Sequence, residues 1–571
     1  MSCVPVEDPG AIMAGRKQNP IDDLSGEDLI RFLIDQATQD FADDPDLVGK
    51  DGKPKFTAQD EKLARLPQND LGNGARLRAR CGKDLIFVPE IGWLGWSGKI
   101  WSAEDGHDLA RKAAHDTARA MRREALALIS AGPVEGEDNE TFEKRVKGFR
   151  RFVKDCGNVS RINAMLEAAA PYVAARIDDL DRPQWVFNAA DCALDLLPPS
   201  AERFSAAPLT RQAEPADLSP EGRGEENENG GVRRRAHGRK DLVTRAAGAR
   251  YDPAATCPAF LSFLAGAVPD REIADFLQRF FGYALCGSVR EQVVMLFYGQ
   301  GSNGKSTLMD TITHVMGDYA RGVPISSIMG DGKKSAGQAS PDLARLRGAR
   351  YVTTSEPDTG ERFSEGTIKM LSGDERMTVR HLNKDYFEFY PQFKVVVSFN
   401  NKPNVRGIDE GFWRRIVLVP FDQKFVDPEK LAENPGARVK IKGLGEAMRA
   451  EAPGILNWML DGYRIWREKG LMIPERVRAA TDGYRAEANP VAQFAQECVV
   501  KKSGARVIAT RMFQAYGLWS KENALDAVTQ NLFGRRMADM GYVKIKSAGF
   551  SQYEHVDLTD DVRRKLDGWD A

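Results

Sequence analysis

Apolar residues along this chain fall into two spacings, short unbroken runs and helical repeats. Val293, Val294, Met295, Leu296, Phe297 and Tyr298 form one continuous run, the pattern of a strand buried on both faces in a mostly parallel sheet. Residues 393–399 (FKVVVSF) repeat it, and 349–354 and the stretch after Arg415 are shorter versions. Elsewhere the spacing is helical. Leu308, Ile312 and Val315 predict a helix that starts near Lys305; Phe260, Phe263, Leu264, Ile273, Phe276, Leu277 and Phe280 predict helices over 250–290; Ile455, Leu456, Trp458, Met459, Tyr463 and Trp466 predict an amphipathic helix over 452–470. Strands alternating with helices predict an α/β core.

The flanks differ from that core. Residues 1–67 read as weakly ordered, with one short helix over 29–37. Over 68–198 the pattern predicts a small, largely helical domain. It holds a helix at 70–80, a strand at 84–88, a tryptophan-rich hairpin at 92–101, and helices over 108–128 and 142–173. The last helix carries Lys144, Arg145, Lys147, Arg150, Arg151 and Lys154, either a DNA-facing surface or a solvated one. Residues 199–240 turn acidic and glycine-rich, then basic (Arg233, Arg234, Arg235, Arg239, Lys240), and read as a disordered insertion. Residues 241–290 form a helical lead-in, 291–430 the core, and 431–571 a mostly helical end. Within that end, helices over 490–500, 510–521 and 531–540 followed by a strand from Gly541 match the order of a winged helix, a DNA-binding or a packing module.

The chemistry sits where the first apolar run stops. Gly299, Gly301, Ser302, Asn303, Gly304, Lys305, Ser306 and Thr307 fit G-x-x-x-x-G-K-[ST]. Only glycine-rich backbone lets several N–H groups wrap a phosphate chain. Lys305 then reaches the β/γ-phosphates, Ser306 offers its hydroxyl to Mg²⁺, and the helix N-terminus adds to the anion site. Glu356 follows the 349–354 strand, where an acid polarises water or holds Mg²⁺. Lys369 lies on a short helix. A hairpin over 378–389 presents His381 and Lys384 near its tip, either a shape that suits a phosphate backbone or a plain surface turn. Asn400 ends the 393–399 strand, where an amide orients an attacking water. Arg414 and Arg415 precede the next strand, where an arginine reaching a neighbouring subunit's γ-phosphate stabilises transition-state charge.

Composition narrows the setting. The chain has 571 residues, 81 Lys plus Arg and 82 Asp plus Glu, so any nucleic-acid surface is a local patch. Its seven cysteines show no C-x-x-C spacing, which argues against a zinc site or a disulfide framework. Neither a signal peptide nor an 18-residue apolar run is present, so no membrane partner is expected and the cytoplasm is the expected compartment.

Together, residues 299–307, Glu356, Lys369 with Gly373-Asp374, Arg380, 393–403 and 413–421 resemble the superfamily 3 helicase domain, and more closely the phage and plasmid primase-helicases typified by satellite phage P4 and poxvirus D5. Asp70-Leu71-Gly72-Asn73 and 93–101 resemble the helical D5 N-terminal domain. The resemblance covers about 68–560. It implies a P-loop NTPase core of AAA+-like type, with a D5-like N-terminal domain and a winged-helix-like C-terminal domain. It further implies a hexameric ring that hydrolyses ATP with Mg²⁺ and moves 3′ to 5′ on single-stranded DNA at forks. By position, Lys305 and Ser306 would bind phosphate and Mg²⁺, Glu356 would be the Walker B acid and Asn400 the sensor. Arg415, with Arg414 as rival, would be the finger acting in trans, and Lys369, Arg380, His381 and Lys384 would contact DNA. The Walker B strand departs from the family in reading YVTTSEP. About 65 residues precede the helical domain, too few for a polymerising domain, so helicase without intrinsic primase is expected, with a separate primase or other replication proteins as partners. The alternatives are a packaging or defence ATPase, and a non-enzymatic DNA-binding scaffold.

Overall fold

The computed structural model describes residues 24–44, 47–50, 53–199, 231–327, 341–354, 363–373, 375–380, 385–403, 405, 410–523, 525, 527–547 and 549–568. The chain forms two compact units, Met1–Ser97 with Trp101–Ile177, and Gly98–Ile100 with Asp178–Ala571.

The first unit is helical. In order it holds α1 (Gly26–Asp40), α2 (Ala58–Leu63), α3 (Asp70–Cys81), the strands β1 (Leu85–Val88), β2 (Gly92–Trp96) and β3 (Trp101–Ser102), then α4 (Gly106–Ser130), α5 (Asn139–Asp155) and α6 (Val159–Ala169). Side-chain caps at Ser25, Thr57, Asn69 and Asp138 start α1, α2, α3 and α5. The described residues of 24–67 thus include two capped helices where a weakly ordered segment was expected. Leu29, Leu33 and Ala37 recur at i, i+4, i+8 on α1 and are buried in one core with Met121, Phe142 and Phe149. An ion network lies beneath. Arg76 and Glu124 are fully buried 2.7 Å apart, and Arg80 bridges Glu124 to Asp60. Burial opposes ionisation of Asp60, but the bonds from Arg80 and Thr57 outweigh it and hold that carboxyl below its usual range. The basic helix α5 is largely charge-matched within its own unit: Lys144 meets Glu140, Arg145 meets Glu137, and Arg150 and Lys154 share Asp40. That favours the solvated reading of its surface over a DNA-facing one.

The second unit opens with an antiparallel sheet, β4 (Val186–Asn188), β5 (Ala193–Leu196) and β6 (Val232–Arg235), in that order. Two expectations are corrected here. The break between units falls at 177/178 rather than 198/199, and residues 232–235 of the basic run are a paired strand rather than disordered chain, while 200–230 of the expected insertion lie outside the described residues. Arg235 is neutralised by Asp195 and Asp241, and Arg234 lies 3.8 Å from Asp191. Next come α7 (Pro258–Ala267), α8 (Arg271–Ala284), β7 (Val294–Tyr298), α9 (Lys305–Met316), β8 (Ala320–Val323), α10 (Pro341–Ala344), β9 (Tyr351–Thr354) and α11 (Glu365–Ser372). They are followed by β10 (Met377–Arg380), β11 (Tyr386–Phe389), β12 (Lys394–Phe399), α12 (Glu410–Trp413) and β13 (Ile416–Pro420). Five strands form a parallel sheet in the order β13-β7-β12-β9-β8, with every described residue of β12 buried. The predicted α/β core with a mostly parallel sheet is thus present.

The chain then runs through β14 (Phe425–Val426), β15 (Arg438–Val439), α13 (Leu444–Ala450), α14 (Ala452–Lys469) and α15 (Glu475–Glu487). Helix α14 belongs to the core of the sheet, not to a separate end. Gly282 and Gly462 let α8 and α14 touch backbone to backbone, since a Cβ on Gly282 would lie 2.1 Å from Tyr463 N. Helix α15 lies on β13, where Thr481 Oγ1 accepts from Leu418 N. The last module is α16 (Pro490–Cys498), β16 (Val499–Ile508), α17 (Ala509–Glu522), α18 (Gln530–Asp539), β17 (Lys544–Ser547), β18 (Phe550–Leu558) and α19 (Asp560–Asp567), around Phe494, Tyr516, Trp519, Phe533 and Tyr553. No helix among the described residues is long and apolar enough to cross a membrane.

Candidate functional site

The glycine-rich loop links the end of β7 to α9. A Cβ on Gly299 would fall 2.3 Å from Phe421 O, so only glycine passes there. Gly301, Ser302 and Gly304 take φ of +59°, +48° and +88°. For Ser302 that left-handed geometry costs about 1 kcal/mol. Two bonds pin the loop to the chain leaving β13: Asn303 Nδ2 donates to Phe421 O at 3.3 Å, and Phe425 N donates to Ser302 O at 2.7 Å. The first N–H groups of α9 have no carbonyl ahead of them in the helix, which makes that end an anion site.

Lys305 is only 3% exposed. Its ammonium donates to Gly299 O and, at 3.0 Å, to Asn400 Oδ1. Gly301 N donates to the same Oδ1 at 3.1 Å. Strand pairing explains the meeting. Phe399 lies opposite Tyr298 in register, so the residue after β12 arrives beside the loop after β7. Ser306 is exposed in the first turn of α9. Strand β9 pairs with β12 and ends at Thr354, two residues short of Glu356. Glu356, Asp374, His381 and Lys384 lie outside the described residues. Among the described residues no three His, Cys, Asp or Glu side chains form a metal cluster; the loop offers instead the Ser306 hydroxyl in the first turn of α9, a donor suited to an ion shared with phosphate oxygens.

A cleft of about 860 Å³ opens beside the loop, lined by Gly304 and Thr307, by Phe263 and Gly266 of α7, by Phe425, and by Arg438. Gly266 is helical, and an added Cβ would sit 3.7 Å from Phe425, an ordinary contact. Packing does not demand glycine there, and a mid-helix glycine costs roughly 1 kcal/mol against alanine.

Arg414 and Arg415 stand at the other end of the sheet. Val294 N donates to Arg415 O, which places the pair level with the start of β7, about 16 Å of strand from the loop. Arg415 is 9% exposed and donates to Gly411 O and Gln292 Oε1 within its own chain. Arg414 is exposed. Lys369 lies on α11, and Arg380 ends β10 with its guanidinium 4.9 Å above the Tyr386 ring. The hairpin β10–β11 pairs as expected, Arg380 opposite Tyr386.

Sequence reading missed the turn after Asn400. Lys402 makes a two-pronged ion pair with Glu487 at 2.7 and 2.8 Å, and the Tyr484 hydroxyl donates to Pro403 O. It also missed the buried Lys394 at the start of β12, which donates to Cys286 O and whose ammonium burial pushes down to about 8.

Comparison with known proteins follows the same lines. The family described as "D5 N terminal like" matches residues 74–269, and a family of unknown function (DUF5906) matches 297–415. Over 274 residues the chain is 26% identical to "Putative helicase L207/L206" of Acanthamoeba polyphaga mimivirus and 29% identical to "Putative helicase 022R" of Frog virus 3. The chain is thus similar to the D5 N-terminal-like family over residues 74–269 and to these viral proteins over 46% of its length. Among these relatives is also "Putative primase C962R" of African swine fever virus, 24% identical over 285 residues. Each of the three matches covers 46% of this chain but only 28% of the relative. The chain thus spans under a third of the length of these curated relatives. Among solved structures, the NrS-1 C terminal region aligns at a TM-score of 0.37 and 15% identity, over 60% of this chain and 84% of that one; a likeness that low carries no argument.

Proposed function

We propose that this chain is the motor of an ATP-dependent replicative DNA helicase of superfamily 3, working as a ring, a hexamer by resemblance, on single-stranded DNA at a fork. One observation carries the reading: Lys305 and Asn400, 95 residues apart, meet on a glycine loop at the ends of two paired parallel strands. The C-terminal strand ends of an open parallel sheet are where ligands bind.

In this reading the loop amides and Lys305 hold the triphosphate. Lys305 can exchange Gly299 O and Asn400 Oδ1 for phosphate oxygens without leaving the loop. Ser306 and Glu356 would hold Mg²⁺, which when bound neutralises charge on the phosphates. Asn400 Oδ1 orients the attacking water. The cleft over Gly266 takes the base and ribose. Both arginines share Gln292 Oε1, but Arg415 is buried and also tied to Gly411 O, so the finger offered to a neighbour is Arg414, which is exposed, held by one long bond at 3.4 Å and too far from its own loop to act in cis. Lys369, Arg380, His381 and Lys384 face DNA. The order α16, β16, α17, α18, β17, β18 supports a winged helix.

The test is ATP turnover and fork unwinding by the purified chain, with and without single-stranded DNA, beside Lys305→Ala. DNA-stimulated turnover lost in Lys305→Ala is expected. Turnover indifferent to Lys305→Ala contradicts the site; turnover without unwinding points to a packaging-type ATPase.

A further inference from the structure

Two pieces of the proposed machinery, Asn400 and Arg414, lie near the two ends of the connection between β12 and β13. The last turn of α15 holds both. At the Asn400 end, the Tyr484 hydroxyl donates to Pro403 O at 2.5 Å, and Glu487 takes Lys402 in its two-pronged pair. At the Arg414 end, the edge of the Tyr484 ring meets Trp413, with centroids 5.3 Å apart and planes at 77°, and Arg485 pairs with Glu410.

These contacts differ in weight. The Arg485–Glu410 and Lys402–Glu487 pairs reach the surface, where ion pairs contribute little. Tyr484 is 2% exposed, and Trp413 and Pro403 are buried with it. A buried phenol bonded to a buried carbonyl fixes position, because the carbonyl has no water to fall back on. Trp413 immediately precedes Arg414, so its ring orientation sets where the next backbone unit, and with it the arginine, starts. Helix α15 also runs into α16 with only Ala488 and Asn489 between them.

We propose that Tyr484 is a positioning residue that places the water-orienting amide of one site and the arginine lent to the neighbouring site together. This rests on the reading of Asn400 and Arg414 given above. The buried hydroxyl serves the first arm and the ring chiefly the second, its contact with the Lys402 ammonium being a distant 5.8 Å, so the arms separate by substitution. Tyr484→Phe keeps the ring and drops the hydroxyl. Tyr484→Leu drops both.

The experiment is steady-state ATP turnover with single-stranded DNA by the full chain, with binding of a fluorescent ATP analogue as a second readout. Tyr484→Phe is expected to lower kcat about tenfold with nucleotide affinity within about twofold of wild type. Mixing with Lys305→Ala subunits does not restore it, because the fault lies in the variant's own site. Tyr484→Leu is expected to lose more, and the additional loss is recovered on mixing, because Lys305→Ala subunits supply well-placed arginines. Where Tyr484→Leu fails to fold, Trp413→Phe probes the same arm. Wild-type kcat in both variants, or affinity falling in step with kcat, overturns the proposal. A wild-type chain with no turnover removes the reading beneath it instead, so the two failures are distinct.

Discussion

The five-stranded sheet carries a buried lysine at each end, and the two are held for different purposes. Lys305, at the loop end, donates to Gly299 O and Asn400 Oδ1. Lys394, at the other end, donates to Cys286 O and Gln392 O and sits 4.2 Å from the Tyr283 ring centre. Arg350 beside it donates to the carbonyls of Leu285, Pro183 and Val186. What separates them is the surroundings. Lys305 is flanked by exposed Ser306, its loop lines the cleft through Ser302, Gly304 and Thr307, and its acceptors are Gly299 O of that loop and the Asn400 side chain at the end of β12. Lys394 is walled in by packed strand and helix ends. A buried cation satisfied by replaceable acceptors next to an opening is a ligand donor in waiting; one satisfied by core carbonyls is a staple.

The largest expected contrast follows. Lys305→Ala should cut ATP turnover by about 10³-fold with little change in melting temperature. Lys394→Ala should do the reverse, costing about 1–3 kcal/mol of stability through the abandoned carbonyls while the surviving folded protein turns over normally. Thermal melts beside turnover assays check both. The arginine pair sharpens the point at the same end of the sheet. Arg414→Ala should lower turnover by about 10²-fold in an intact fold, whereas Arg415→Ala should cost about 2 kcal/mol of stability. If Arg415→Ala alone lost turnover at unchanged stability, the ranking of the two would be wrong.

A smaller effect is expected in the cleft. Gly266→Leu fills it from a helix that welcomes leucine, so ATP affinity should fall about tenfold while inorganic tripolyphosphate binds as before. Calorimetry with the two ligands reads this directly, and equal losses would detach the cleft from the nucleotide. The last contrast is in pH. The Lys394 ammonium titrates at about 8 in the folded chain against an ordinary 10.5. Between those values the folded state has released a proton that the unfolded chain still holds, so stability rises as pH climbs through the window, by at most about 1.4 kcal/mol per unit. Below pH 8 the penalty is fully present. Lys394→Met should flatten that slope; a slope unchanged in the variant would assign it elsewhere.

Much of the loop end was legible in the sequence. An apolar run, glycines at fixed spacing and a helical repeat are local signals, and β7, the loop and α9 fell where they predicted. The meeting of Asn400 with Lys305 was implied by the second apolar run, though its partners were not. The missed parts depend on distant chain. Residues 232–235 read as a charged linker because Asp191 and Asp195, which neutralise their arginines, come from the preceding hairpin strand and its turn across the long polar stretch. Helix α1 looked too short and isolated to be ordered until α4 and α5 covered its apolar face. Arg414 and Arg415 are adjacent and chemically identical in sequence; only the backbone turn from α12 into β13 sends one into the core and the other into solvent. Lys394 opens an apolar run, and nothing local tells a buried staple from a surface lysine.

The account turns on one subunit's loop being completed by another subunit's opposite end. Mixing Lys305→Ala and Arg414→Ala chains, each inactive alone, tests this most directly. An intact loop in one then meets an intact Arg414 in the other, so DNA-stimulated ATP turnover should reappear in the mixture. A mixture as inactive as its components, in particles shown by solution mass to contain both chains, would contradict it.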